Sequence, residues 1–391
     1  VTAPVRPPGQ ADAAVAGSGP AGAVAALVMA RAGYRVLLLD DGGHSSPRAG
    51  QAGFKIGESL PPAARPLLRD LGLLDGFLAA GHPRSTGIYS AWGSEELHGR
   101  SHLFDPYGHG WHLDRLRFDA FLRDAAVAAG AELRRATVLD QLGRRLIVRE
   151  RGTATVTELH CRWTVDATGR RCVIGRRHGH RRRQDRLVTA YTVFRDRHPA
   201  DQHREHREDV EARTLVEAAP HGWWYTTRIP AGRLVAYLTD PDLADPSLRT
   251  PQGFWRGVAR TGHVYRRLEG YDPASAPVPC WAPAHGLQLS PAAGPGWVAA
   301  GDAALAFDPL SSQGILTALH TGARAGQTVA ACLADAGRTA DELADYTEFL
   351  EGIAAAYRRH HAYAYDQEQR WPSSPFWRRR RTGVKALPGI A

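Results

Sequence analysis

An apolar run that breaks into three glycines constrains this chain more than any other stretch. It reads Ala14-Val-Ala-Gly17-Ser-Gly19-Pro20-Ala21-Gly22. Glycines at this spacing let a strand turn tightly into a helix: Gly17 makes the turn, Gly19 leaves room for a pyrophosphate, and Gly22 lets helix and strand pack closely. The helix start would aim unpaired N–H groups and a positive dipole end at the phosphates, so no basic side chain is needed there. Residues 21–32 read as that helix, Gly33 suits its C-terminal cap, and Tyr34 to Leu39 form an apolar strand ending in Asp40. Asp40 stands close to the roughly 20-residue offset at which a carboxylate binds an adenosine ribose. Taken alone, the glycines are compatible with an ordinary turn. In this βαβ context they predict a bound dinucleotide, and a flavin is the one they suggest.

Further along, Lys55-Ile-Gly57-Glu58-Ser59 precedes a double proline that stops any strand, and residues 63–71 begin a helix. Asp114-Arg115-Leu-Arg117 opens a second amphipathic helix that ends near Gly130. Runs at 136–139, 145–149, 154–159 and 162–165 predict an antiparallel meander leading into Asp166-Ala-Thr-Gly169, a sharp turn after a strand. A second buried strand ends in Gly301-Asp302, and Pro309-Leu-Ser-Ser312-Gln313-Gly314-Ile315 opens a long small-residue helix. Strand ends that turn toward a ligand are where open α/β sheets bind cofactors. Between these pieces the pattern is β-rich and aromatic, with Trp223-Trp224-Tyr225 on one run. We therefore expect an α/β fold: a Rossmann-like dinucleotide domain in two parts, 12–185 and 285–335, around an antiparallel β substrate lobe, 186–284. A C-terminal helical segment, 336–391, completes the chain, and residues 1–11 read as a disordered lead-in.

With 391 residues, 43% of them hydrophobic, the chain can bury a large core. No apolar run is long enough to span a membrane and no secretory leader is visible, so a cytoplasmic location without a membrane span is expected. Four scattered cysteines without a CxxC pair indicate neither a metal site nor a disulfide framework. The net charge of +9 is almost all arginine. Its runs lack interleaved aromatics, so we expect no nucleic-acid partner.

The order of these motifs resembles the flavoprotein monooxygenase and halogenase superfamily, with its p-hydroxybenzoate hydroxylase-like fold and its geranylgeranyl reductase relatives. That resemblance implies FAD. It implies cofactor contacts at Gly17, Gly19, Pro20, Ala21, Gly22, Asp40, Arg48, Ser59, Arg115, Val138, Asp166 and Gly169. The later motifs add Gly301, Asp302, Pro309, Ser312, Gln313, Gly314 and Ile315, with Asp302 on the ribityl chain. Two departures separate the chain from tryptophan halogenases. Where those carry Trp-x-Trp-x-Ile-Pro, this chain has Tyr225-Thr-Thr-Arg before Ile229-Pro230, and residues 84–92 hold no relay lysine. Gly222-Trp223-Trp224-Tyr225 and Ser90-Ala-Trp92-Gly-Ser94 are instead similar to flavoprotein maturases that oxidise a tryptophan in a partner polypeptide.

The implied reaction is hydroxylation of an electron-rich aromatic ring through a flavin C4a peroxide, on a small metabolite or on a tryptophan of a peptide or protein. Halogenation and geranylgeranyl reductase-like double-bond reduction are the alternatives on the same fold. Trp223, Trp224 and Tyr225 are the candidate substrate wall. Glu58 and His112 are the candidate proton carriers. No second nucleotide turn is present, so electrons come from transiently bound NAD(P)H or from a separate flavin reductase.

Overall fold

β1 (Ala11–Ala16) is buried along its whole length, as a central parallel strand covered on both faces must be. The computed structural model describes residues 11–42, 54–195, 211–230, 232–273 and 276–381. β1 turns into α1 (Pro20–Arg31), which starts on a proline and buries most of its small side chains. The chain then returns as β2 (Val36–Leu39), parallel to β1.

On its other side β1 pairs in parallel with the strand Val156–Asp166, which pairs in turn with Trp297–Ala299. The carboxyl ends of these strands coincide: Ala16 faces both Leu39 and Asp166, and Asp166 faces Ala299. Four turns therefore open at one end of the sheet. The long helix Gly314–Ala334 packs along α1 and covers the sheet.

The predicted meander is present with one change. Segments 154–159 and 162–165 form a single strand whose first half pairs antiparallel with Arg145–Glu150 and whose second half joins the parallel sheet. Its polar residues, His160 and Arg162, sit where the strand passes from one partner to the next, which masks its continuity in the sequence.

A second sheet of seven strands forms the lobe. Its order is Cys280–Pro283, Val188–Phe194, Gly232–Thr239, Gly222–Ile229, Thr214–Ala219, Gly87–Ala91 and His98–Ser101. The last two come from residues 87–101, far upstream, and join through a parallel pairing of Thr214–Glu217 with Ile88–Ala91. Each face of this sheet has its own core. Leu187, Trp223, Leu238 and Tyr365 share one, while Trp224, Tyr237 and Phe254 share the other.

The C-terminal helix Thr339–Asp366 reaches the lobe, where Phe376 and Trp377 are fully buried. Arg380 locks this segment down by pairing with the buried Asp240 at 2.6 Å. Among the described residues no helix is long and apolar enough to cross a membrane.

Candidate cofactor and catalytic site

Backbone geometry builds one end of the site. Gly17 takes φ +103°, and a Cβ there would lie 2.3 Å from the carbonyl oxygen of Ala167. A Cβ at Gly22 would lie 1.8 Å from the oxygen of Gly17, so this residue closes the turn from behind and does not line the cleft. Gly19 is different. A Cβ there meets no protein atom, because it faces an open cleft of about 520 Å³.

That cleft brings together Gly17, Gly19, Pro20 and Ala21 with Ser59, Arg115, Gly169, Gly301 and Asp302. It continues along Pro309, Ser312, Gly314 and Ile315 and is roofed by Thr189, Val216, Trp223, Tyr225 and Leu238 of the lobe. Residues as far apart in sequence as Gly17 and Ala318 thus meet on one surface.

Besides Gly22, four expected cofactor contacts do not line the cleft. Asp40 accepts a hydrogen bond from the Gly42 N–H at 3.0 Å and shapes its own loop, while Asp41 lines the cleft and pairs with Arg171. Asp166 is fully committed: one oxygen accepts from Thr168 N–H and O–H at 3.0 and 2.6 Å, the other from Ile174 and Gly175 N–H, both at 2.8 Å. It holds the turn that presents Thr168 and Gly169. Val138 is buried inside its hairpin, and Gln313 is exposed with its N–H on Ser311 Oγ. Arg48 lies outside the described residues.

The Gly-Glu-Ser loop is clamped by charge. Arg115 donates to the carbonyl of Gly57 at 2.8 Å and pairs with Asp119 one helical turn on, at 3.1 Å. Lys55 donates to the same carboxylate at 2.6 Å. Burial and the neighbouring Arg115 lower the lysine's pKa, and Asp119 opposes them. Asp119 and Lys55 brace the loop, and of the two only Asp119, one helical turn from Arg115, was signalled by its spacing.

Glu58 is 2% exposed, and burial pushes its carboxyl up to about 7. Tyr225 O–H donates to one of its oxygens, and the Gly57 N–H lies 3.2 Å from the other. Both side chains line the cleft. A carboxyl that titrates near neutrality in a cleft is suited to move a proton.

His112 does not line that cleft. Its Nε2 sits 2.7 Å from the carbonyl of Ala212, which requires N–H there and leaves Nδ1 to accept from Thr227 O–H at 3.2 Å. Burial lowers it to about 4, so it is neutral. Its strand pairs with Ser59–Leu60, which places it as a support of the Gly-Glu-Ser loop.

Strand alternation divides the aromatic trio. Trp223 and Tyr225 face the cleft, whereas Trp224 points to the opposite side and stacks on Tyr237 at 4.5 Å. Trp224 is therefore core, not substrate wall.

Asp308 opens the motif that runs to Ile315, but no site role was expected of it. Fully buried, it accepts from Leu310 N–H at 2.9 Å and Tyr365 O–H at 2.7 Å, with His361 Nε2 at 3.3 Å. Burial would raise its pKa, but the His361 contact, Leu310 N–H and Tyr365 outweigh it and hold the carboxyl below the ordinary range. This carboxylate ties the Pro309–Ser312 loop to the C-terminal helix. An Asp before Pro at a helix entry is a legible cap, but its tyrosine partner 57 residues on is not.

The profile of a family described as an FAD binding domain matches residues 10–357. The chain belongs to that family. It is similar along its length to LodB of Marinomonas mediterranea, assigned as an FAD-dependent oxidoreductase, with 27% identity over 94% of this chain and 96% of LodB. Among solved structures, the myxobacterial chondrochloren halogenase CndH superposes with a TM-score of 0.81 at 25% identity, covering 96% of this chain and 86% of CndH. The peptidyl tryptophan dihydroxylase QhpG shares the fold, with a TM-score of 0.76 at 23% identity over 98% of this chain and 81% of QhpG. The superfamily resemblance drawn from the motifs holds, and the protein is an FAD-dependent oxidoreductase of the halogenase and monooxygenase group.

The residues present fit FAD. The unobstructed space at Gly19 and the start of α1 suit its pyrophosphate, and the Pro309–Ile315 segment offers a backbone wall for its ring. Asp302 lines the cleft and stands 3.6 Å from Arg170. Gly301 is fixed beside it by donating to Thr321 Oγ1 at 2.9 Å.

Proposed function

We propose that this protein is an FAD-dependent monooxygenase that hydroxylates an electron-rich aromatic ring, with a tryptophan of a peptide or protein favoured over a small metabolite. The observation that carries the reading is the Glu58–Tyr225 pair, a buried acid poised near neutrality on the wall of the cleft. Reduced flavin supplies the activation of dioxygen. The chain's own residues do the rest. Glu58 delivers a proton inside the cleft, and Tyr225 fixes its carboxyl. Val216, Trp223 and Leu238 form an apolar roof that holds a ring and excludes water. The electrons come from NAD(P)H or from a separate flavin reductase.

Polypeptide substrates are favoured by the Gly222-Trp-Trp-Tyr225 run and by the shared fold with QhpG. Against halogenation stands the one lysine among the described residues, Lys55, which is held in an ion pair with Asp119. The likeness to CndH keeps halogenation as the second reading. Turnover of tryptophan-containing peptides and free aromatic acids under air, under argon and with bromide separates these readings. Hydroxylation requires air and ignores bromide; bromide-dependent products support the halogenase, and turnover under argon a double-bond reductase.

A further inference from the structure

Behind the cleft, four tryptophans and a tyrosine form an unbroken file that ends at the surface. Trp223 lines the cleft, and its ring centroid lies 6.4 Å from that of Trp92. Trp92 stands 5.2 Å from Trp377, and Trp377 stacks on the half-buried Trp371 at 5.9 Å. Tyr365 runs beside this file. Its hydroxyl accepts from Trp223 Nε1–H at 3.1 Å, and its ring lies 5.8 Å from both Trp92 and Trp377.

Core packing alone does not call for this composition. Phenylalanine or leucine would fill the same space without buried N–H groups to satisfy, yet the indoles of Trp92 and Trp377 each donate to a carbonyl, of Ala364 at 2.7 Å and of Ala219 at 3.0 Å. Indole and phenol are the aromatic side chains that lose an electron most readily. Rings in contact from a redox cleft to solvent provide a path that phenylalanine would not.

We infer that Trp223, Trp92, Trp377 and Trp371 form a one-electron route between the cleft and the surface, with Tyr365 as a parallel step to Trp377. Light-excited oxidised flavin in the cleft takes one electron from Trp223 and is reduced by it, Trp92 refills Trp223, Trp377 refills Trp92, and Trp371 refills Trp377. The guanidinium of Arg370 lies 4.4 Å from the Trp371 ring centroid and opposes positive charge there, although Glu368 pairs with it at 2.6 Å. Trp371 therefore releases its indole proton to water, and an external reductant of the ascorbate class returns one electron and one proton. The route carries the electron vacancy left on Trp223 out of the cleft to the surface. It rests on flavin binding alone and not on the reaction proposed above.

The test uses the FAD-loaded protein without oxygen, with photoexcited oxidised flavin as the oxidant in the cleft and ascorbate as the external donor. Transient absorption should detect tryptophan radicals, and steady blue light should bleach the oxidised flavin band. In Trp371→Phe and Trp377→Phe the bleaching rate should fall by an order of magnitude, with flavin content and circular dichroism unchanged. Bleaching of both variants at the wild-type rate overturns the route. Should Trp377→Phe lose its flavin, the half-buried Trp371→Phe decides alone by the same readout.

Discussion

The two ends of the cleft are built on opposite plans. Where the phosphates of FAD would sit, the wall is backbone: Gly17 and Gly22 are pressed against carbonyl oxygens, and Gly19 faces open space. Under the lobe the wall is side chains from distant segments, with Glu58 and Tyr225 joined across 167 residues of sequence. A backbone wall depends on residues that can only be glycine and tolerates little change. A side-chain wall can be retuned one group at a time, and there the chemistry resides.

The largest expected effect is at the backbone end. Gly19→Val sets a branched side chain into the space a pyrophosphate needs, and because a Cβ there meets no protein atom the chain should still fold. Flavin retention, read from absorbance after purification, should be abolished at unchanged circular dichroism. A fully yellow variant would place the cofactor elsewhere.

At the side-chain end, Glu58→Gln should keep FAD and lose about 10²–10⁴-fold in turnover, the usual contribution of a positioned proton carrier. Wild-type turnover should fall as pH rises through about 7, where Glu58 loses the proton it delivers. The variant should lack that limb. The same group leaves a mark on stability with a definite sign. Its folded pKa lies above the ordinary 4.5, so the native state binds more protons, and stability should decline as pH rises from 4.5 through about 7. A pH series of thermal melts in which Glu58→Gln tracks the wild type would contradict this.

Smaller effects sharpen the boundary between the two ends. Asp302→Ala removes a carboxylate that lines the cleft, and a charged hydrogen bond is worth about 1.5–3 kcal/mol, so FAD affinity should weaken roughly tenfold or more by titration. Tyr365→Phe takes one donor from the buried Asp308 but leaves Leu310 N–H and His361. It should cost about 1–2 kcal/mol in chemical denaturation. Unaltered stability would mean that the Asp308 cluster does not anchor the C-terminal helix.

This contrast also explains what could be read from sequence. The glycine turn, Gly301-Asp302 and the helix opening at Gly314 were legible because each demands a residue type from the backbone itself. The side-chain end was legible only in pieces. Strand alternation separates Trp224 from Trp223 and Tyr225, since neighbours on a strand face opposite sides. Glu58 was recognisable as a motif residue, but its raised pKa comes from burial under a lobe strand that no local pattern announces. His112 was a candidate proton carrier in sequence, yet burial keeps it neutral and its bonds to Ala212 and Thr227, made in the fold, hold it away from the cleft. Asp40 and Asp166 had the right spacing, but one oxygen of Asp40 and both of Asp166 accept from neighbouring groups of their own turns. Spacing located the turns; the fold decided which side chains were free to face the ligand.

The most direct test of the proposed reaction is to reduce the FAD-loaded protein photochemically, mix it with ¹⁸O₂ in the presence of bromide, and analyse tryptophan-containing peptides and free aromatic acids by mass spectrometry. Photoreduction removes the need for the natural electron donor. The account predicts an aromatic product carrying the heavy oxygen from dioxygen and no bromine. A brominated product, or a reduced substrate without the label, would contradict it.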